Sequence, residues 1–155
     1  MRGSLFSAKA EYACIAMLEL ACRFGDPQPI RLSTIVEAHG IPKRFLVQIL
    51  LQLKGAGLIA STRGAAGGYH LARPPEAITL ADIIEVIDRS DQPKGTRPRP
   101  GRALISHEPF QTPAVQAIRS IWADILAAQR RILESTTLAD LVQRSQSDFD
   151  LVYQI

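Results

Sequence analysis

The stretch GLIASTRGAAGGYHLARPP, from Gly57 to Pro75, leaves this chain few options. Gly64, Gly67 and Gly68 crowd one tight reversal, where glycine permits positive φ and close approach of backbone to backbone. The flanking LIAST and YHLA segments favour short strands, and Pro74 with Pro75 stops any ladder. The prediction is a β-hairpin with a side-chain-poor tip and a cationic rim of Arg63, His70 and Arg73. Alone, such a hairpin fits a partnerless surface loop as well as a binding element. What precedes it decides between the two.

Three helices are predicted ahead of the hairpin. Residues 7–24 place Tyr12, Ile15, Ala16, Leu18, Leu20 and Ala21 on a broad apolar face, ended by Gly25, Asp26 and Pro27. A short helix from Leu32 to His39 stops at Gly40. The next begins at Pro42, whose missing N–H suits a first helical turn, and Gly57 supplies its stop. Phe45, Leu46, Ile49, Leu50 and Leu53 form its inward stripe. Lys43, Arg44, Val47, Gln48 and Leu51 are left for the opposite face or its edge. Two short helices around a glycine turn, followed by a hairpin, spell a helix-turn-helix with a wing. Gln48 can read adenine, and Lys43 and Arg44 can read guanine or hold phosphate. On a helix without that wing, the same residues would only keep the surface solvated. Arg63 is placed to enter an A·T-rich minor groove, while His70 and Arg73 are placed to neutralise phosphate.

Beyond the hairpin, ITLADIIEVIDRS opens with a Thr-x-x-Asp capping pattern and buries Ile83, Ile84 and Ile87. A basic, proline- and glycine-rich stretch then reads as a long loop. From Pro113 to about Ser135 a long helix carries Val115, Ile118, Trp122, Ile125 and Ile132, widened by Ile121, Leu126 and Leu133. TTLADLV repeats the capping pattern for a last short helix and a tail. The expected organisation is a winged helix-turn-helix over residues 1–88, a loop over 89–112, and a dimerisation helix with a C-terminal helix over 113–155. The apolar face of the long helix can pack within the chain, against residues 7–24 for instance, or against its own copy; the dimer is the expectation, with Ile118, Trp122, Ile125 and Ile132 as its contacts. Two helix-turn-helix units related by a two-fold axis read two half-sites one helical turn apart.

Charge is partitioned accordingly. Residues 1–75 hold nine Lys or Arg against four acids, +5, and residues 76–155 hold nine against eleven, −2. A basic first half and an acidic remainder suit a chain of which one part meets a polyanion. No apolar run approaches the ~18 residues of a membrane span, and the first residues lack a secretory pattern, so the expected location is the cytoplasm. Cys14 and Cys22, eight helical residues or about 12 Å apart, cannot pair with each other. Both are expected as small buried thiols. The scattered His39, His70 and His107 form no catalytic grouping, and no phosphate-binding GxxxxGK occurs, so no catalytic residue and no enzyme activity are expected.

The segments SAKAEYACIAMLELA, GIPKRFLVQILLQLKGAGLIASTRGAAGGYHLARPPEAITLADIIEVID, IRSIWADIL and TTLADLV occur here in that order. Together they resemble the bacterial winged-helix regulators of the BadM or "Rrf-two" family, which includes the IscR, NsrR and CymR types. The resemblance covers most of the chain, and the GLIASTRGAAGGYHLARPP block is its most specific part. It implies a mainly α fold with a small β-hairpin wing, and a homodimeric transcription factor on a palindromic operator in double-stranded DNA. Carried over by position, Gln48 and the surface around it meet bases, Arg63 enters the minor groove with Gly67 and Gly68 beside it, and Ser7 and Lys9 lie near phosphate. Val47 stands where many relatives carry a base-reading glutamate. Valine cannot accept from cytosine N4, so a different operator is implied, with a thymine methyl as an alternative contact.

Cluster-bearing members place three cysteines in the loop after the ITLADIIEVID helix; this loop has none, and its nearest ligand candidates are His107 and Glu108. Glu11 occupies a position where some relatives supply a carboxylate, which alone holds no iron–sulfur cluster. No metal and no cofactor are therefore expected. Relatives without the cysteines respond to partner proteins, small molecules or thiol oxidation, which leaves an unknown small-molecule or protein effector as a further partner. The expected function is a cluster-free, sequence-specific repressor. The competing reading, motivated by Val47 and the 89–112 loop, is an effector-sensing or protein-interaction module that has lost specific DNA recognition.

Overall fold

The helical and strand periodicities resolve into α1 (Ala8–Cys22), α2 (Leu32–His39), α3 (Lys43–Gly55), β1 (Ile59–Thr62), β2 (Gly68–Leu71), α4 (Leu80–Asp91), α5 (Pro113–Ser135) and α6 (Leu138–Tyr153). They are seen in a computed structural model describing residues 5–91 and 110–153. The fold is mainly helical with one small antiparallel sheet, as the sequence predicts.

Helix α1 starts where the Ser7 hydroxyl accepts from the Ala10 N–H at 3.2 Å. It ends two residues short of the predicted limit. Its deepest stripe is Ala10, Ala13, Ala16, Met17 and Leu20. Small residues there let α3 and α4 approach closely. Tyr12, Ile15 and Leu18, expected on the buried face, are half-buried at its edges. Helix α2 closes on Gly40, at φ 65°, whose N–H reaches the Val36 carbonyl at 2.8 Å. Pro42 is the N-cap of α3 and not its first residue. At the other end the Leu58 N–H bonds to the Leu53 carbonyl and the Gly57 N–H to Lys54, with Gly57 at φ 76°. That pair of bonds satisfies carbonyls the helix would otherwise leave open.

In the hairpin Ile59 pairs with Leu71, Ala60 with His70, Ser61 with Tyr69 and Thr62 with Gly68. A further rung was not foreseen: Ile30 and Tyr69 exchange both backbone hydrogen bonds, at 2.9 and 2.8 Å. This bridge ties the hairpin to the segment entering α2.

Two reciprocal caps organise the C-terminal half. Thr79 and Asp82 cap α4, and Thr137 and Asp140 cap α6, each with bonds of 2.9 and 3.2 Å. The two helix starts also abut. The Leu80 N–H donates to the Thr136 carbonyl and the Leu138 N–H to the Ile78 carbonyl. Leu138 thereby enters the core and is fully buried. The Thr137 backbone N–H, then its hydroxyl, holds the Asp140 carboxyl below the usual carboxylate range, against a small opposing effect of burial. A depressed carboxyl stabilises above its unfolded pKa, so this cap is intact at neutral pH and weakens as pH falls through the depressed value.

Two expectations need correction. Helix α4 continues to Asp91, three residues into the expected 89–112 loop, because Val86 and Ile87 keep it packed and Ser90 bonds back to the Val86 carbonyl at 2.9 Å. The last helix is not short: α6 runs 16 residues to Tyr153, occupying the stretch read as a tail. Its Leu141 and Val142 pack on the core, which gives the first turns a tertiary hold. Residues 92–109 of the expected loop, His107 and Glu108 among them, lie outside the described residues.

Candidate nucleic-acid interface

Helix α3 divides cleanly. Leu46, Ile49, Leu50 and Leu53 are wholly inaccessible, whereas Lys43, Arg44, Val47, Gln48, Leu51 and Lys54 face solvent. The Arg44 guanidinium lies 4.8 Å from the Phe45 ring centroid, so its stem is laid along the helix edge. Cations sit at both ends of this outer face, and Gln48 with two aliphatic side chains occupies its middle.

The hairpin adds Arg63, exposed at the end of β1, with exposed His70 on β2 and exposed Arg73 just after it. Arg31, which sequence reasoning passed over, donates from Nη2 to the Ala65 carbonyl at 2.6 Å. It fastens the hairpin tip to the N-terminus of α2. Together with the Ile30–Tyr69 rung, it holds wing and helix-turn-helix in fixed relation.

The glycines of the tip have separate reasons. Gly64 sits at φ 110°, where L side chains are rare. Gly67 and Gly68 do not need positive φ. A Cβ on Gly67 would come within 2.3 Å of the Thr62 carbonyl oxygen, and one on Gly68 within 2.4 Å of the Ile30 carbonyl oxygen. Both are forced by the chain's own backbone, irrespective of any DNA nearby.

At the start of α1, Ser7 is spent as a cap, and Lys9 Nζ pairs with Asp91 at the end of α4. Lys9 is thus half-buried and engaged, and reaching a phosphate requires it to leave Asp91.

Helix α5 presents no buried residue at all. Ile118, Ile121, Trp122, Ile125, Leu126 and Ile132 are between 48% and 65% exposed, and they recur at intervals of three or four. A contiguous apolar face of this size marks an interaction surface. The four residues expected at a dimer contact all belong to it.

The thiols also depart from expectation. Cys14 is half-buried, and burial, then the Glu11 carboxylate, pushes its pKa up to about 11. Cys22 is exposed, not buried, because it occupies the last position of α1, where the helix leaves the core. One equivalent of a thiol reagent is expected to react rapidly with the native protein at pH 8, at Cys22. A second should react only on unfolding, and Cys22→Ser should remove the fast phase; the readout is released chromophore against time.

The sequence profile of the Rrf2 family, described as an iron-dependent transcriptional regulator, matches residues 6–144. A helix-turn-helix transcriptional regulator of Mycobacterium tuberculosis is 38% identical over 135 residues, covering 87% of this chain and 79% of its own. The regulator CymR of Bacillus subtilis is 34% identical over 142 residues, 92% of each chain. The solved structure of B. subtilis CymR superposes with a TM-score of 0.71, covering 92% of this chain and 98% of that one. IscR of T. potens superposes at 0.69 with 33% identity, covering 92% and 89%. These relatives are transcriptional regulators and not enzymes.

Iron, named in the family description, finds no matching donor set among the described residues. Iron–sulfur clusters are held chiefly by three or four thiolates. This chain has two cysteines, two helical turns apart on α1, one of them with a raised pKa. Among the described residues no three His, Cys, Asp or Glu side chains converge. The residues present do not fit a cluster.

Proposed function

The chain belongs to the Rrf2 family of DNA-binding transcriptional regulators, and we propose that it acts in the cytoplasm as a cluster-free, homodimeric repressor on a palindromic operator. The observation that carries this reading is the outward face of α3, bearing Lys43, Arg44 and Gln48, braced against a wing whose Arg63 projects freely into solvent. In this assignment α3 enters the major groove, and Arg63 reaches the adjoining minor groove. Gly67, Gly68 and His70 line the approach to the backbone, and Ser7 and Lys9 stand near phosphate. Ile118, Trp122, Ile125 and Ile132 on α5 cross their counterparts on a second copy. That symmetry sets two α3 helices one helical turn apart. An effector would act through this arrangement with no metal of its own.

The test is binding to a duplex selected from a random pool, measured against salt. Affinity should fall steeply as salt rises, because phosphate contacts release counterions. Arg63→Ala should cost about tenfold and make the log–log salt slope shallower by about one. Equal affinity for selected and scrambled duplexes, unchanged by Arg63→Ala, would refute the proposal and favour an interaction module without sequence recognition.

A further inference from the structure

Helix α3 carries an apolar pair where the core cannot use it. Leu51 is 64% exposed and Val47 40%, although their neighbours Ile49 and Leu50 are completely enclosed. One turn apart on the same outer face, they have Cβ atoms about 5–6 Å from each other. The exposed Gln48 adjoins Val47 on this surface. Lys43 and Arg44 lie at one end of the face and Lys54 at the other, so a polyanion drawn to the cations is set directly over the aliphatic pair.

Major-groove edges restrict what such a pair can touch. All four bases present hydrogen-bonding atoms there, and thymine alone adds a C5 methyl group. An aliphatic side chain pressed on a donor or acceptor leaves it dry and unpaired, which is unfavourable; on a methyl it buries apolar surface. The separation of the pair matches one to two base-pair steps of ~3.4 Å.

We infer that Val47 and Leu51 form a methyl-reading stripe, so that each half-site carries thymines beneath them and an adenine within reach of Gln48. The inference rests on the proposal that α3 enters the major groove. Specificity at these positions then comes from apolar contact, with the cations supplying affinity and register.

Deoxyuridine lacks the C5 methyl but keeps every hydrogen-bonding edge of thymine. The probe is the duplex selected from a random pool by the full chain, with each thymine of one half-site replaced in turn by deoxyuridine. One or two positions should lose about fourfold in affinity, equivalent to ~0.8 kcal/mol per buried methyl. Leu51→Ala should abolish the deoxyuridine effect at one of them and Val47→Ala at the other. The deoxyuridine series itself needs no variant protein, so a misfolded substitution cannot obscure the answer. A selected duplex that still outcompetes scrambled DNA, yet is insensitive to deoxyuridine throughout, overturns the stripe and leaves DNA recognition standing. Failure to select any duplex overturns both.

Discussion

Trp122→Asp combined with Ile125→Asp is expected to convert the protein to a monomer in sedimentation velocity. Operator affinity should fall by about 100-fold or more, from the specific range toward the non-specific one. Both side chains are about half exposed on a single subunit, so replacing them removes nothing from that subunit's interior. The thermal midpoint of the isolated fold should therefore change little at a concentration where wild type and variant are both monomeric. Two carboxylates on an apolar face that must be dehydrated on association are a different matter. Each arrives opposite its own symmetry mate or another apolar side chain, without a partner charge. A double variant that still sediments as a dimer and binds the operator as tightly as wild type would show that α5 is not where two copies meet.

The second large effect concerns stability. Leu138→Ala should destabilise the fold by about 2–5 kcal/mol, the usual cost of emptying a fully enclosed leucine site. For a domain of this size the midpoint should drop by roughly 5–15 °C, read by thermal unfolding at fixed protein concentration. Leu138 is the residue by which the α5–α6 arm enters the core, through the paired backbone bonds between Ile78–Leu80 and Thr136–Leu138. Exposed Leu151, further along α6, is the control: Leu151→Ala should stay within about 0.5 kcal/mol of wild type. Equal losses at the two positions would mean that α6 is held along its length and not pinned at its start.

Where a signal was local, the sequence carried it well. A start at Pro113 and apolar residues every three or four positions delimit α5 from Pro113 to Ser135, as found, with Thr112 as the cap that the structure adds. The inward stripe of α3 was nearly as plain: of its five expected residues Leu46, Ile49, Leu50 and Leu53 are buried, while Phe45 packs half-buried at the edge. What escaped notice joins distant segments. Ile30 with Tyr69 and Arg31 with Ala65 are each separated by more than 30 residues, and neither a lone isoleucine nor a lone arginine announces such a contact. The extent of α6 was hidden for a related reason. Its later part, RSQSDFDLVY, is polar, and the attachment of α6 through Leu138, Leu141 and Val142 is a tertiary contact that no local pattern announces. Cys22 was misjudged because periodicity gives the side of a helix but not where the helix parts from the core.

The adjoining glycines at 67 and 68 bear on how far such a signature can be trusted. Each is demanded by a carbonyl oxygen of the protein itself, closer than any methyl could tolerate. A descendant that no longer touched nucleic acid would still have to keep both in order to close its hairpin. The doublet is therefore a hallmark of architecture, and inheritance of the regulatory role is better judged from which side chains occupy positions 43, 44, 47, 48, 51 and 63.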